Sequence, residues 1–351
     1  MPINIEVEFT PTTPTTVYYS GQLLAGNVRL TMGRPQRLRA ICIYVTGSGR
    51  VSWTSYTAIT DKIETVEHSG NEEYINCCTC AYNAASGSSF ELPAGVNVYS
   101  FKFTLPMWLP SSFEGTHGYI RYAVDVVLER PWKFDKTFKK PFPVCRTLDL
   151  NRDLSLSLPA QMEYKKQFVL SYATRGILSI TVNVLKTGYV SGGVIPIEAV
   201  VANNSSYSIN KIAFSIRKII TYKCTYPMKA EKEEVTTVKE KFVDCLIENE
   251  QISFMERLEI PETTPTTLHF CNVLNIAYEA RVVAVVPGLT ANPSVAIPIV
   301  IGTIPFATDV SPSSQSQPLL LHEEQASSDI DDAPPPSYES VYGSVSNYNN
   351  N

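Results

Sequence analysis

The chain has 351 residues, of which 44% are hydrophobic and 18% are charged. A chain of this length favours two domains over one, and so low a charged fraction is more typical of β-rich than of helical proteins. The net charge is −5 at pH 7. The chain as a whole therefore lacks the concentrated positive charge with which proteins bind nucleic acid.

Neither a signal peptide nor a membrane span is expected. The first eight residues contain no basic segment followed by an apolar stretch. The apolar runs at residues 282–286 and 295–301 are far shorter than the ~18 residues that a span requires. Residue 2 is proline, where myristoylation requires glycine, and there is no prenylation box. We therefore expect a cytoplasmic protein whose eight cysteines are buried thiols rather than a disulfide framework.

Alternation of apolar and polar residues predicts β-strands in the first part of the chain. Between residues 3 and 9 every second residue is apolar, and the residues between them are Asn or Glu. Such a pattern indicates a strand that buries one face. It recurs, with Gly or Pro following, at residues 28–32, 41–45, 99–105 and 120–128. Short strands punctuated in this way are typical of a β-sandwich.

The alternation stops at residues 147–170 and resumes at 178–184, 212–216 and 276–286, which predicts a second sandwich. Segment 229–243 is highly charged, but its Val-Thr-Thr-Val run argues against a long helix, and we predict a charged strand or hairpin. The expected organisation is all-β. It comprises a β-sandwich at residues 1–148, a linker at 149–165, a second β-sandwich at 166–306 and a tail at 307–351.

The tail differs from the rest of the chain in charge and composition. Residues 307–351 contain seven acidic residues and no Lys or Arg, so the net charge of the tail is −7. Because the whole chain carries −5, residues 1–306 carry +2. Ser, Pro, Gln and Asn dominate, so too little apolar surface is available to offset the entropy of ordering, and disorder is predicted. About 29 residues separate Phe306 from Pro335, and a disordered chain of that length spans ~30 Å.

The tail also contains the sequence Pro334-Pro335-Pro336-Ser337-Tyr338. Consecutive prolines favour polyproline II, so little conformational entropy is lost on binding. WW domains bind such a segment through an aromatic groove for Pro335 and Pro336 and a pocket for the ring of Tyr338, and Val341 adds an apolar contact. The alternative is a proline-rich linker with a chance tyrosine. Because the tail is predicted to be exposed, we favour the WW ligand.

No constellation of residues predicts catalysis, and no nucleophile elbow, phosphate loop or dinucleotide fingerprint occurs. Cys77 and Cys80 have the C-x-x-C spacing of many zinc sites, with His68 nearby, but no second pair follows, and we predict no metal site. The segment Thr116-His117-Gly118 beside Glu114 offers acid and base groups, yet its flanks predict a turn between strands. We therefore expect no enzyme activity, no cofactor and no small-molecule substrate.

One segment is densely basic, between residues 130 and 140. As a strand it would place Phe134, Lys136, Phe138 and Lys140 on one face and Lys133, Asp135, Thr137 and Lys139 on the other. One interpretation is a solvated sheet edge whose lysines discourage aggregation. The other, equally favoured, is a surface for acidic or phosphorylated partners, or for an anionic membrane. The basic residues of this segment are Arg130, Lys133, Lys136, Lys139 and Lys140.

Several motifs along nearly the whole chain resemble those of the arrestin-domain-containing proteins, the α-arrestins. Their occurrence in the family's order makes the resemblance specific. The motifs are Tyr19-Ser20-Gly21 with Gly26-Asn27-Val28, Leu105-Pro106, the segment from Ser112 to Tyr122, Glu129-Arg130-Pro131-Trp132, the segment from Lys186 to Gly192, and the segment from Val300 to Pro305.

The resemblance implies two arrestin-like (immunoglobulin-like) β-sandwiches and a non-catalytic adaptor. Such an adaptor links the cytoplasmic tails of membrane-protein cargo to WW-domain ubiquitin ligases of the HECT type, and promotes cargo ubiquitination, endocytosis and endosomal sorting. The family's ligase-binding motif corresponds to Pro335, Pro336 and Tyr338, with Val341 also matching. The implied location is the cytoplasm, with recruitment to the plasma membrane and endosomes.

The sequence departs from the family pattern at one point, and two other functions are alternatives. Many members of the family carry two ligase motifs, whereas this chain has one, which forfeits avidity toward ligases with several WW domains. A coat-like structural subunit of a sorting complex, resembling the arrestin-fold component of retromer, would need a fixed protein interface and no tail motif. A cell-surface receptor is disfavoured because no signal peptide or span is expected.

Overall fold

The computed structural model describes residues 3–10, 17–59, 62–84, 88–170, 173–267 and 271–309. Residues up to Asp309 form one compact unit. From residue 310 onward the tail, for which disorder is predicted, lies outside the described residues. Within the described ranges, no helix is both long and apolar enough to cross a membrane.

The regular secondary structure of the described residues is almost entirely β-strand. Within those residues three short 3₁₀ helices occur, at Leu150–Arg152, Leu154–Ser157 and Ala307–Asp309. The strands are β1 (Asn4–Thr10), β2 (Tyr18–Tyr19), β3 (Leu23–Met32), β4 (Gln36–Leu38), β5 (Ala40–Ile59), β6 (Lys62–Asn83), β7 (Phe90–Leu92), β8 (Gly95–Thr104), β9 (Phe113–Gly115), β10 (Gly118–Glu129), β11 (Lys136–Phe142), β12 (Val144–Cys145), β13 (Ala160–Leu170), β14 (Ala173–Val184), β15 (Gly188–Val190), β16 (Val194–Ser205), β17 (Ile209–Cys224), β18 (Ala230–Ile247), β19 (Gln251–Glu259), β20 (Leu274–Val285) and β21 (Ser294–Gly302).

The first sandwich is built from two antiparallel sheets. One has the order β1-β3-β8, and the other has the order β11-β10-β5-β6, with β9 also paired to β10. Ile43 lies directly opposite Val126, and Val45 lies opposite Val124. All four side chains are fully buried. These cross-strand pairs form the core between the sheets, as the period-two alternation predicts.

The second sandwich repeats this arrangement with sheets in the orders β13-β14-β16-β19 and β15-β21-β20-β17-β18. Burial along β20 alternates without interruption. Its inward residues include Ile276, Tyr278 and Val282, each at most 2% exposed. Residues 230–243 of the charged segment lie in β18, so the strand interpretation is confirmed and no helix forms there. The all-β prediction is confirmed because one-sided burial selects sheets in both halves.

The linker predicted at residues 149–165 is too long. Two of the 3₁₀ helices occupy its first part, but β13 begins at Ala160. Tyr164, within the predicted linker, lies opposite Ile180 of β14. Apolar residues do alternate with polar ones at Ala160, Met162 and Tyr164, but the alternation stops at Lys166, and Met162 and Tyr164 are exposed. A short alternation on an exposed edge strand is a weak hydrophobic signal.

A long hairpin joins the two sandwiches. Strands β5 and β6, of 20 and 22 residues, are the partners. The main-chain nitrogen of Ser69 donates to the oxygen of Tyr226 at 2.9 Å, and the nitrogen of Tyr226 donates back at 3.1 Å. At Gly70 an added Cβ would lie 2.8 Å from the main-chain oxygen of Lys223. The absence of a side chain at Gly70 therefore permits this close approach.

Side chains extend the same contact. The carboxylate of Glu72 accepts from the main-chain nitrogen of Asn272 at 2.7 Å. The hydroxyl of Tyr74 lies 2.9 Å from the sulfur of Cys271. Burial raises the pKa of both groups, so each stays protonated at neutral pH. Neutral, hydrogen-bonded groups meet the requirement for burying polar atoms between two sandwiches.

Asn203, at the end of β16, satisfies several main-chain groups at once and is fully buried. Its amide nitrogen donates to the main-chain oxygens of Tyr207 and Ile247 at 2.6 and 2.8 Å. Its amide oxygen accepts from the main-chain nitrogen and the hydroxyl of Ser205 at 3.1 and 2.6 Å. One side chain therefore holds together the connection after β16 and the end of β18.

We predict that Asn203→Ala lowers the free energy of unfolding by about 2–4 kcal/mol, because it leaves buried acceptors without donors. Asn204→Ala is the matched control, since the neighbouring Asn204 side chain is exposed. Urea denaturation followed by far-ultraviolet circular dichroism measures both. Equal stability of the two variants would contradict the assigned role of Asn203.

Candidate partner-binding surface

The turn between β10 and β11 carries the first part of the basic segment. Trp132 adopts the left-handed conformation, with φ of 58°. The carboxylate of Asp135 accepts from the main-chain nitrogen of Arg130 at 3.2 Å. The guanidinium of Arg130 donates through Nε to the oxygen of Phe134 at 2.8 Å. These bonds close the turn on itself and leave both aromatic side chains outside.

Trp132 and Phe134 are 96% and 95% exposed. Large aromatic rings usually bury most of their area, and each ring in water forgoes a substantial hydrophobic contribution. Both rings lie beside Arg130 and Lys133 and line one open depression with them. Two exposed rings at the tip of a basic turn are typical of an interaction surface rather than of a solvated edge.

The lysines of the segment differ in their availability. The ammonium of Lys136 donates to the main-chain oxygen of Ile3. That of Lys139 lies 3.6 Å from a carboxylate oxygen of Asp125. Lys133 and Lys140 are exposed. Neither forms an ion pair with any residue that the structure describes, so their charge is available to a partner.

The strand predicted for the whole segment is wrong for its first half. β11 begins at Lys136, and Lys133 and Phe134 lie in the preceding turn. Pro131 has no main-chain N–H for the ladder, and the left-handed Trp132 reverses the chain. Within β11 the predicted alternation is present: Lys136 and Phe138 are half-buried, and Thr137 and Lys139 are exposed.

Three thiols meet on the outer face of the larger sheet in the first sandwich. Cys42 and Cys80 are direct cross-strand partners. Their sulfur atoms are 3.2 Å apart. The sulfur of Cys78 lies within 4.8 Å of both. Cys42 is buried, but Cys78 and Cys80 are exposed, so the prediction of buried thiols is wrong for these two.

The electrostatics of this cluster oppose a nucleophilic role. Burial, together with the Cys80 thiol, raises the pKa of Cys42 to about 12. Burial also raises the pKa of Cys78. A hydrogen bond to Cys78 raises the pKa of the Tyr44 hydroxyl to about 12. Reactive cysteines have lowered pKa values, so Cys42 and Cys78 are not activated thiols.

The C-x-x-C pair considered from the sequence does not form. Cys77 lies opposite Val45, on the other face of β6 from Cys80. His68 is also engaged elsewhere: its ring stacks on Trp53 at 5.1 Å, and its Nε2 lies 2.8 Å from the hydroxyl of Ser55. The spacing of cysteines in the sequence does not indicate Cys42 as a member of the cluster, because Cys42 and Cys80 are brought together only by the pairing of β5 and β6.

The turn around His117 lies between β9 and β10, as predicted. The His117 ring contacts Tyr222 edge-on at 5.3 Å, and Thr116 donates to the carboxylate of Glu234 at 3.2 Å. Glu234 also accepts from the Tyr222 hydroxyl at 2.9 Å. These groups connect the first sandwich to the second, which gives the turn a structural role.

The residues predicted to bind a WW domain, Pro335, Pro336, Tyr338 and Val341, lie outside the described residues. The motif therefore stays a prediction from the sequence. The described structure ends with the 3₁₀ helix Ala307–Asp309, where the side chain of Asp309 pairs with the ammonium of Lys186.

Comparison with known proteins gives matches to both halves of the chain. Residues 5–151 match the family described as arrestin (or S-antigen), N-terminal domain, and residues 174–306 match the corresponding C-terminal domain. Arrestin domain-containing protein 17 of Caenorhabditis elegans is 29% identical over 344 residues, covering 92% of this chain and 76% of that protein. The human arrestin domain-containing protein 4 is 29% identical over 293 residues, covering 82% and 69%.

The mouse arrestin domain-containing protein 1 is 28% identical over 290 residues, which cover 82% of this chain and 62% of that protein. The two domain matches occur in the order of the two sandwiches, and each covers most of its sandwich. The sequence resemblance, the sheet architecture and these relatives agree. The chain belongs to the arrestin family, within the arrestin-domain-containing proteins or α-arrestins.

Proposed function

We propose that this α-arrestin is a non-catalytic trafficking adaptor that brings a WW-domain ubiquitin ligase of the HECT type to membrane-protein cargo. The observation that carries the proposal is the sequence Pro335-Pro336-Ser337-Tyr338, which follows two arrestin sandwiches. The sandwiches provide a body that holds the cytoplasmic tail of the cargo, and the motif provides the docking segment for the ligase. The adaptor acts in the cytoplasm and at the plasma membrane and endosomes, where ubiquitination promotes endocytosis and sorting.

The distribution of lysines determines where ubiquitin is expected. The last lysine of the chain is Lys241, so residues 242–351 contain no acceptor. A ligase docked at Tyr338 therefore acts on lysines of the folded body or of the bound cargo. Lys133 and Lys140 are examples of exposed acceptors on the body.

We predict that Tyr338→Ala weakens binding of the full-length chain to an isolated WW domain by at least about tenfold, since the tyrosine pocket is left empty. Calorimetry measures the affinity. Tyr342→Ala is the matched control, because Tyr342 lies in the same tail without preceding prolines. The thermal midpoint should be unchanged in both variants, because the buried core extends no further than Phe306 in the described residues.

In cells, Tyr338→Ala should abolish ubiquitination of both cargo and body lysines. Wild-type levels of cargo ubiquitination in this variant would contradict the proposal, because the ligase would then arrive by another route. A coat-like subunit makes the opposite prediction: sorting of cargo would continue without the motif. The same variant therefore distinguishes the two functions.

We also propose that the basic segment contacts an anionic membrane. The supporting observations are the exposure of Trp132 and Phe134 beside Lys133 in the turn, and the exposure of Lys140 further along β11. Neither lysine forms an ion pair within the described residues. Trp at the level of lipid headgroups is favoured, and each basic side chain near an anionic surface contributes about 1 kcal/mol. A phosphorylated or acidic protein tail would bind the basic side chains, but it would not account for the exposure of both aromatic rings.

We predict that Trp132→Ala with Phe134→Ala lowers binding to vesicles rich in phosphatidylserine by about tenfold or more, through loss of the inserted rings. Leu185→Ala is the control, because Leu185 is 72% exposed and lies outside the segment. Co-sedimentation with vesicles measures the binding.

Charge reversal at Lys133 and Lys140 should weaken the same binding at low ionic strength, and the difference should shrink at high salt. Lys136 and Lys139 are left intact, because both have partners within the fold. Unchanged vesicle binding in both the aromatic and the charge variants, with reduced binding to a phosphopeptide, would assign the segment to protein tails instead.

A further inference from the structure

We propose that Cys42, Cys78 and Cys80 bind one thiophilic metal ion, with Zn²⁺ as the representative, on the outer face of the first sandwich. This site lies on β5 and β6 and involves none of the residues assigned to ligase or membrane binding. A test of this site is therefore independent of any test of the proposed function.

The geometry fits such an ion. Zinc–sulfur bonds are about 2.3 Å long, which places the sulfurs of a tetrahedral site about 3.8 Å apart. The sulfurs of Cys42 and Cys80 are 3.2 Å apart, and those of all three cysteines lie within 4.8 Å of one another. The required separation lies between the shortest sulfur–sulfur distance and the upper limit for the group.

The strand ladder holds the three ligands in register. Cys42 pairs with Cys80, and Tyr44 pairs with Cys78, in the antiparallel β5–β6 ladder. Residues 78 and 80 point to the same face of β6, because side chains alternate along a strand. The core residues Ile41 and Ile43, on either side of Cys42, fix β5 from the opposite face. Ligands supplied by paired strands are pre-positioned, which reduces the ordering cost of binding.

The donor set selects the type of ion. Three thiol groups, with no carboxylate or imidazole among the clustered ligands, favour soft or borderline ions over Mg²⁺ or Ca²⁺. The Tyr44 hydroxyl is hydrogen-bonded to Cys78, as an outer partner that orients the sulfur. Cys78 and Cys80 are exposed, so the fourth coordination position faces solvent and is open to water or to a donor from another molecule.

The full-length, reduced chain is freed of metal with a chelator and titrated with Co²⁺ and then Zn²⁺. We expect one ion per chain and the thiolate-to-cobalt charge-transfer absorbance, which Zn²⁺ displaces. Cys78→Ser and Cys80→Ser should each weaken binding by more than the roughly 10–100-fold that loss of an outer partner costs. These exposed positions are preferred to Cys42, whose side chain is buried.

Cys77→Ser is the matched control, because Cys77 is exposed on the same strand but opposite Val45, outside the cluster. It should keep wild-type affinity. Zn²⁺ should raise the thermal midpoint of the wild type and of Cys77→Ser, but not of Cys78→Ser, because a ligand stabilises the state that binds it.

Three results would overturn the proposal. The first is the absence of thiolate-to-cobalt absorbance in the wild type. The second is an equal loss of binding in Cys77→Ser, which would indicate scattered surface thiols. The third is a Cys42–Cys80 disulfide, detected by mass spectrometry in protein purified from cells with free thiols blocked at lysis, because a disulfide cannot supply these thiolates.

Discussion

The β5–β6 hairpin is the constraint on which the rest of the structure depends. Its inward residues, such as Ile43 and Val45, form the core of the first sandwich against β10. Further along the hairpin, Ser69 and Glu72 bind the main chain of the second sandwich. Because an antiparallel ladder fixes the register of every residue along it, one hairpin sets both the internal packing of the first sandwich and its attachment to the second.

Residues on the outer faces of the sheets are not constrained by packing in the core. A strand that buries one face leaves every second residue free to vary, provided that it is compatible with the sheet. On the larger sheet of the first sandwich, the Cys42, Cys78 and Cys80 thiols lie together on the outer face. At the β10–β11 turn, Trp132 and Phe134 lie in solvent. The exposed side chains of Cys78, Cys80, Trp132 and Phe134 contribute nothing to the hydrophobic core and are free to bind a partner.

In the proposed adaptor, cargo binding and ligase binding are assigned to different parts of the chain. The first compact unit ends at Asp309, and both arrestin domain matches lie within it. The sequence that resembles a WW ligand follows, in a segment without lysines. Substitutions at the motif and substitutions at the basic segment therefore test different proposed partners.

The sequence by itself determined the fold class, the two sandwiches and the family resemblance, because one-sided burial produces a period of two and turns require Gly or Pro at particular places. It also determined the composition of the tail and its motif. The predicted linker overlaps the start of β13, since the alternation there is short and lies on an exposed edge strand. The strand predicted for the basic segment includes Lys133 and Phe134, which lie in a turn. Only the tertiary structure decided that Cys42, not Cys77, accompanies Cys80, and that Trp132 is exposed. Both depend on which strands pair and where the chain reverses, and these long-range contacts leave no local periodicity in the sequence.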